Sequence, residues 1–234
     1  IPLEDYLEVR PEQTDIVTKH VSSGRLQVGP WYVCPEEFLV NGESLVRNLL
    51  VGHRVAGRFG RVNKVGYSPF SYGQTSQMPQ IYQGFGIDTI LFYHGIQKYE
   101  SRSEFWFEGP DGSRLFASRM GSFARYNFFY HVFRPVVYGT KIDERDYYWK
   151  KGGMPFHLCR EGRHEGHFFL ADPVRRFNRR KVKECFEHLR SLEEEHCTSK
   201  YLAYMMGMDS TEPDLLELKI IDEAPKAGVK DKVL

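Results

Sequence analysis

The sequence predicts an α/β protein built on a mainly parallel β-sheet. Short apolar segments of the strand type alternate along the chain with longer segments in which apolar residues recur at helical spacing. Strands separated by helices of this length pair in parallel through right-handed crossovers. The chain has 234 residues, enough for a sizeable core. We expect one α/β domain over residues 1–234, with an aromatic-rich insertion at about 104–178.

Helices are predicted where apolar residues share one face of a 3.6-residue period. Pro11 suits the first turn of a helix over 11–22. Leu45, Leu49 and Leu50 indicate a helix of about 16 residues that opens at Gly42. An amphipathic stripe predicts another over 179–194. Shorter helices are expected at 76–84 and 213–223.

Strands are predicted where apolar and β-branched residues cluster between turn signals. The expected parallel strands lie near 25–34, 64–67, 88–93 and 201–206. Residues 104–108 and 114–118 alternate around Gly109-Pro110-Asp111-Gly112, which predicts a hairpin. Residues 120–178 show little periodicity, so we expect a long irregular segment there.

Charge and composition exclude several classes of protein. Lys and Arg number 32 against 31 Asp and Glu, so binding to nucleic acid or to an anionic membrane surface through bulk charge is not expected. No apolar run approaches the ~18 residues of a membrane span. Four sparse cysteines favour reduced thiols and a cytoplasmic location. The opening Ile1-Pro2-Leu3 suggests a fragment of a longer chain, whose remainder would be a partner.

Ligands of parallel α/β sheets bind beyond the carboxyl ends of the strands. Four segments are expected there, at 35–37, 68–74, 94–95 and 207–210. The chain also carries 15% aromatic residues, which either line a ligand cleft or fill the core.

Three carboxylates stand in these strand-end segments. Asp209 follows an apolar segment, where it can serve as a general acid or cap the helix that begins near 213. Glu36 and Glu37 either face solvent in a loop or recognise sugar hydroxyls beside Trp31 and Tyr32.

Other catalytic or metal motifs receive little support. His157, Cys159, His164 and His167 could bind zinc, but their spacing matches no structural zinc module, which favours exposed loop residues. The sequence has no dinucleotide fingerprint, phosphate loop or nucleophile elbow.

Three stretches carry a family resemblance. The first runs from Gly29 to Leu50 and includes Pro35-Glu36-Glu37-Phe38-Leu39-Val40; the second runs from Lys64 to Asp88 and includes Tyr72-Gly73-Gln74. The third is Gly207-Met208-Asp209. Together they resemble glycoside hydrolase family 38, the α-mannosidases, closely over residues 3–119 and more weakly over 179–223.

The resemblance implies retaining hydrolysis of an α-mannoside or mannose-containing glycan on a partial barrel-like β/α domain of the α-mannosidase catalytic type. It also implies a zinc cofactor, whose ligands this sequence does not identify. Asp209 matches the acid/base residue of the family. The implied substrate-binding residues are Glu36, Glu37, Phe70, Tyr72, Gln74 and His94.

The sequence departs from the family pattern at the nucleophile. Phe70 stands where the family has an aspartate that attacks the sugar and binds the metal, and the His-x-His-x-Asp zinc segment is absent. Glu36 or Glu37 could supply the missing acid. The alternatives are therefore an active glycosidase, a catalytically impaired carbohydrate-binding homologue, or a purely structural interaction domain.

Overall fold

The computed structural model describes residues 1–69, 71–121, 123–140, 177–207 and 214–232. The chain divides into two compact units, Ile1–Met120 and Gly121–Leu234. Each unit has hydrophobic core clusters of its own. The expectation of a single domain over the whole chain stays a prediction.

The first unit contains an open, four-stranded, mainly parallel sheet. Its strands are β1 (Val65–Ser68), β2 (Thr89–Phe92), β3 (Glu104–Glu108) and β4 (Arg114–Arg119), in the order β1-β2-β4-β3. β2 pairs in parallel with both β1 and β4, and β3 pairs antiparallel with β4 at the edge of the sheet. This confirms the α/β class, the hairpin and the strands predicted near 64–67 and 88–93.

Four helices belong to this unit. They are α1 (Pro2–Val9), α2 (Thr14–Ser22, after a 3₁₀ turn at Pro11–Gln13), α3 (Gly42–Gly57) and α4 (Met78–Gly84). Three of them confirm the predicted helices, and α1 is additional. The amide oxygen of Asn41 caps α3 by accepting a hydrogen bond from Ser44 N at 2.8 Å. The helices and the sheet share the core residues Leu45, Leu49, Met78, Tyr82, Ile87, Ile90, Phe92, Leu115 and Ala117.

The strand predicted over 25–34 is wrong. This segment forms no strand and lies instead against α3. The side-chain oxygen of Asn48 accepts hydrogen bonds from Tyr32 N (2.8 Å) and Val33 N (3.1 Å), and its amide donates to Val33 O (2.8 Å). A Cβ on Gly52 would lie only 2.1 Å from Pro30 O, so the glycine permits this close approach.

All regular secondary structure among the described residues of the second unit is helical. Phe129–Phe133 forms a π-helical turn that continues into α5 (Arg134–Val137). α6 (Val182–Glu194) and α7 (Leu215–Glu223) confirm two predicted helices. The part of the predicted irregular segment at 123–140 is thus largely helical and buried, because its aromatic residues pack into a core with α6 and α7. The buried core comprises Phe128, Phe129, Tyr130, Val132, Phe133, Val136, Val137, Val182, Cys185, Phe186, Leu189, Ile220, Ala224 and Val229.

The strand predicted over 201–206 is also wrong. The segment belongs to no β-ladder, because its backbone is bound by the side chain and backbone of residues 125–128. His157, Cys159, His164 and His167 lie outside the described residues. Within the described part of the chain, no helix is long and apolar enough to cross a membrane.

Candidate functional site

The candidate site is formed by the loop that follows β1. β1 ends at Ser68 and α4 begins at Met78. His94 and Gly95 follow the neighbouring parallel strand β2. Both segments therefore leave the carboxyl ends of adjacent parallel strands, where the sequence predicted a ligand site.

The buried Glu37 carboxylate forms hydrogen bonds with two separate parts of this loop. Its side chain is buried, with 2% of the residue exposed. Ser68 Oγ donates to Glu37 Oε1 at 3.2 Å, and Thr75 N donates to Glu37 Oε2 at 2.9 Å. Gln74 Nε2 adds a hydrogen bond to Ser68 Oγ at 3.4 Å. One carboxylate thus joins the end of β1 to the end of the loop.

Burial raises the pKa of the Glu37 carboxyl group to about 7. The hydrogen bonds from Thr75 and Ser68 oppose this rise, whereas the charge of Glu36 adds to it. Desolvation prevails because it disfavours the charged form more than these donors stabilise it. Glu37 is consequently a group that gains or loses its proton near neutral pH.

Glu36 binds the outer part of the same loop. Tyr72 N lies 3.2 and 3.0 Å from the two carboxylate oxygens of Glu36, and the Ser71 hydroxyl lies 3.1 Å from Oε1. The Ser71 hydroxyl also accepts a hydrogen bond from Glu37 N at 3.3 Å and lies 2.5 Å from Gly73 O. Two adjacent glutamates therefore organise the loop from its inner and outer sides.

Aromatic rings lie beside the two carboxylates. Tyr72 is 80% exposed, and its ring centroid lies 5.4 Å from that of His94 at an interplanar angle of 31°. The exposed Phe38 ring covers Gly73, where a Cβ would lie 2.4 Å from Phe38 Cε2. The site thus combines carboxylate oxygens with flat apolar surface, a combination suited to a sugar.

The structure brings together five residues that the sequence analysis selected: Glu36, Glu37, Tyr72, Gln74 and His94. Phe70 and Asp209 lie outside the described residues. Sequence reasoning did not select Thr75 or Phe38. A threonine in a loop carries no signal of its own, and Phe38 could have been noticed only as a neighbour of the paired glutamates.

The described residues do not provide a zinc site. None of the described His, Cys, Asp and Glu side chains come together in a group of three or more that could hold a metal ion. The oxygens of Glu36 and Glu37 accept hydrogen bonds from the loop. The part of the chain that the structure describes therefore does not fit the implied cofactor.

The open, mainly parallel sheet with paired carboxylates and an exposed aromatic ring at its strand ends places this chain in the α/β class. A family model described as the glycosyl hydrolases family 38 N-terminal domain matches residues 3–216. The chain belongs to this family.

Individual relatives agree with this assignment. A protein of Halalkalibacterium halodurans with the provisional name mannosylglycerate hydrolase is 38% identical over 128 residues, which cover 49% of this chain and 14% of that protein. An α-mannosidase of Saccharomyces cerevisiae is 33% identical over 116 residues, covering 47% of this chain and 11% of that enzyme.

A solved structure confirms the predicted fold class. The crystal structure of an α-mannosidase from Enterococcus faecalis V583 matches with a TM-score of 0.71 at 25% sequence identity, over 96% of this chain and 21% of that chain. This chain thus spans between 11% and 21% of the length of these three proteins.

Proposed function

We propose that the chain is part of a glycoside hydrolase of the α-mannosidase type, which cleaves α-mannosidic bonds with retention of configuration. The observation that carries the proposal is the set of hydrogen bonds by which Ser68, Ser71, Tyr72 and Thr75 surround Glu36 and Glu37, in a stretch that keeps much of the family pattern. Membership of family 38 and the names of the relatives support the mannoside as substrate.

Retention requires two carboxyl groups, typically about 5–5.5 Å apart, of which one attacks the sugar and the other transfers protons. We assign the proton transfer to Asp209, on its match to the family motif. Glu36 is the better-suited nucleophile of the two glutamates. It is only partly buried, and its carboxylate accepts hydrogen bonds from Ser71 and Tyr72.

The remaining site residues are proposed to bind the sugar. The exposed ring of Tyr72 offers an apolar face to the C–H side of a sugar ring. Gln74 offers a polar side chain on the same loop as Tyr72, and His94 offers one on the loop after β2. Glu37 stabilises the first loop through its hydrogen bond with Ser68. Phe70 is assigned to apolar contact on the strength of its sequence position alone.

Zinc dependence follows from the resemblance. The described residues lack a ligand set for the ion, and no step of the proposed reaction is assigned to it.

A second candidate function is a carbohydrate-binding homologue without turnover. Phe70 favours it, because a phenyl ring can neither attack the anomeric carbon nor accept a proton. This candidate predicts saturable mannoside binding by the same loop.

The full-length protein distinguishes the two candidates. We expect it to hydrolyse an activated aryl α-mannoside, or mannosylglycerate, and to release the α-anomer first, as observed by NMR. A fluorinated mannosyl donor should leave a covalent adduct that mass spectrometry locates. Glu36→Gln should abolish adduct and turnover, and Asp209→Asn should lower turnover of a substrate with a poor leaving group by about 10²–10⁴.

The matched control is Glu43→Gln, since Glu43 is an exposed glutamate that pairs with Arg47 on α3, outside the site. Unchanged turnover in Glu36→Gln, Glu37→Gln and Asp209→Asn would refute the assignment. Binding measured by calorimetry without turnover would establish the second candidate.

A further inference from the structure

Three elements of the first unit meet at the side chain of Lys64. This residue directly precedes β1, so it lies at the amino end of the strand, whereas the candidate site follows the carboxyl end. Its Nζ lies 2.8 Å from Nε2 of His53, in the C-terminal half of α3, and donates to Phe85 O at 2.7 Å. Phe85 is the C-terminal cap residue of α4. One ammonium group therefore links the start of β1 to two helices.

This contact fixes the proton on the His53 ring. An ammonium group can only donate, so Nε2 of His53 accepts from Lys64 Nζ and carries no hydrogen of its own. We therefore assign the ring hydrogen to Nδ1, which lies 2.9 Å from Leu49 O and donates to it. Both ring nitrogens are thus used, and His53 is held in its neutral form.

The surroundings of His53 oppose a positive charge on its ring. Burial is the main cause that lowers the pKa of His53, and the charge of Lys64 lowers it further. Nearby backbone carbonyls, that of Leu49 foremost, act in the opposite direction. The Phe85 ring adds apolar surface, with its centroid 5.1 Å from that of His53. Lys64 exerts the largest effect of any charged group, and the neighbouring cation Arg54 is exposed on α3.

We infer that His53 and Lys64 form a pH-sensitive latch, which joins α3, β1 and α4 while His53 is neutral and opens when His53 gains a proton. Protonation places a hydrogen on Nε2, so that two donors and two like charges would face each other across 2.8 Å. The contact must then break. Lys64 is exposed, so its side chain can turn into solvent while the core stays packed.

Opening of the latch removes a donor from the C-terminal end of α4. The last carbonyl groups of a helix have no partner within it, and a cation beside them is also favoured by the helix dipole. Phe85 N and Ile87 N both donate to Tyr82 O at 3.0 Å, so the turn that Lys64 caps is held by few other bonds. We therefore expect this turn to loosen when Lys64 leaves Phe85 O.

The direction of the pH dependence follows from the lowered pKa of His53. The unfolded chain, in which the pKa has its ordinary value of 6.5, binds the proton more tightly than the folded protein does. The stabilising effect is therefore complete above pH 6.5 and is lost as the pH falls towards the pKa of the folded state. The latch is closed at neutral pH and opens in acid.

The first test measures the protonation of His53 in the full-length protein. Exchange of the histidine C2 hydrogen, followed by mass spectrometry of peptides, gives the midpoint for each histidine. We expect the wild-type midpoint of His53 to lie below pH 6.5 and to move upwards in Lys64→Met, which removes the like charge. Lys19→Met, at an exposed position on α2, is the control and should not move it. If Lys64→Met does not fold, the neutral Lys64→Gln replaces it.

The second test measures the opening by amide exchange in the peptide of residues 83–88. His53→Gln cannot ionise, and its side-chain oxygen can still accept from Lys64. Wild type and His53→Gln should exchange alike at about pH 7.5, whereas at about pH 5 the wild-type peptide should exchange several-fold faster. Comparison at one pH cancels the intrinsic pH dependence of exchange. His20→Gln, at an exposed position on α2, should behave as the wild type does.

Two results would overturn the inference. One is a wild-type midpoint of His53 at or above pH 6.5, or a midpoint that neither Lys64 variant raises. The other is an equal response to pH of residues 83–88 in the wild type and in His53→Gln. Neither measurement depends on turnover, so the latch and the proposed function stand or fall separately.

Discussion

Replacement of Glu37 by glutamine should alter how stability depends on pH. Burial raises the pKa of this carboxyl group from an ordinary value of 4.5 to about 7 in the folded protein. An acid whose pKa is raised on folding holds its proton more tightly in the folded state than in the unfolded one. The tighter proton binding by the folded state therefore contributes its full stabilisation below about pH 4.5. This stabilisation is lost as the pH rises to about 7, and above that pH the stability no longer changes on account of Glu37.

The magnitude follows from the two pKa values. Each pKa unit corresponds to about 1.4 kcal/mol, so ionisation of Glu37 lowers the free energy of unfolding by about 3 kcal/mol between pH 4.5 and 7. In Glu37→Gln the residue cannot ionise. The variant also loses an acceptor for Thr75 N, and this loss is the same at every pH.

Urea unfolding at several pH values provides the measurement. The free energy of unfolding of Glu37→Gln, relative to that of the wild type, should rise by about 3 kcal/mol between pH 4.5 and pH 8. Glu43→Gln serves as the control, since Glu43 is an exposed glutamate that pairs with Arg47 on α3, away from this loop. A difference between wild type and Glu37→Gln that stays constant over this range would refute the reasoning.

Three further substitutions test the fold and the site. Gly52→Ala should destabilise the protein by about 1–3 kcal/mol in urea unfolding, because the new Cβ would meet Pro30 O at 2.1 Å; Gly57→Ala on the same helix has open space and should not. By the same measurement, Asn48→Ala should lower the free energy of unfolding by roughly 1–3 kcal/mol, because it removes three hydrogen bonds to the backbone of Tyr32 and Val33. Tyr72→Ala should weaken mannoside binding about tenfold in calorimetry without loss of stability, whereas Tyr72→Phe should retain affinity, because the exposed ring face makes the contact. Equal affinity of the two Tyr72 variants would contradict the role of the ring.

Most of the helices and the central strands could be predicted from the sequence, because their signals are local. The spacing of Leu45 and Leu49 marks α3, and alternation around Gly109-Pro110-Asp111-Gly112 marks the hairpin. The segments at 25–34 and 201–206 could not be predicted correctly. Both contain extended residues, but their backbone partners are the side chains of Asn48 and Asn127, which are distant in sequence.

The sequence predicts a candidate site in the loop after β1, and this stays a prediction, whereas the environments of its residues could not be predicted. The rule that ligands bind at the carboxyl ends of parallel strands selects the loop after β1. The burial of Glu37 arises from Ser68 and Thr75, which fold over it from a segment more than thirty residues further along the chain. A pair of glutamates in a loop gives no local signal of that burial.

The outer edge of the sheet bears on self-association. Among the described strands, β3 pairs with β4 alone, so its other side presents a row of backbone groups that a second chain could pair with. Glu104 and Glu108 flank the exposed ring of Trp106 along this strand. Another copy of β3 that approached antiparallel would bring these carboxylates face to face. Charged side chains along an edge strand oppose such pairing, and Glu108 here also forms an ion pair with Arg114 on β4.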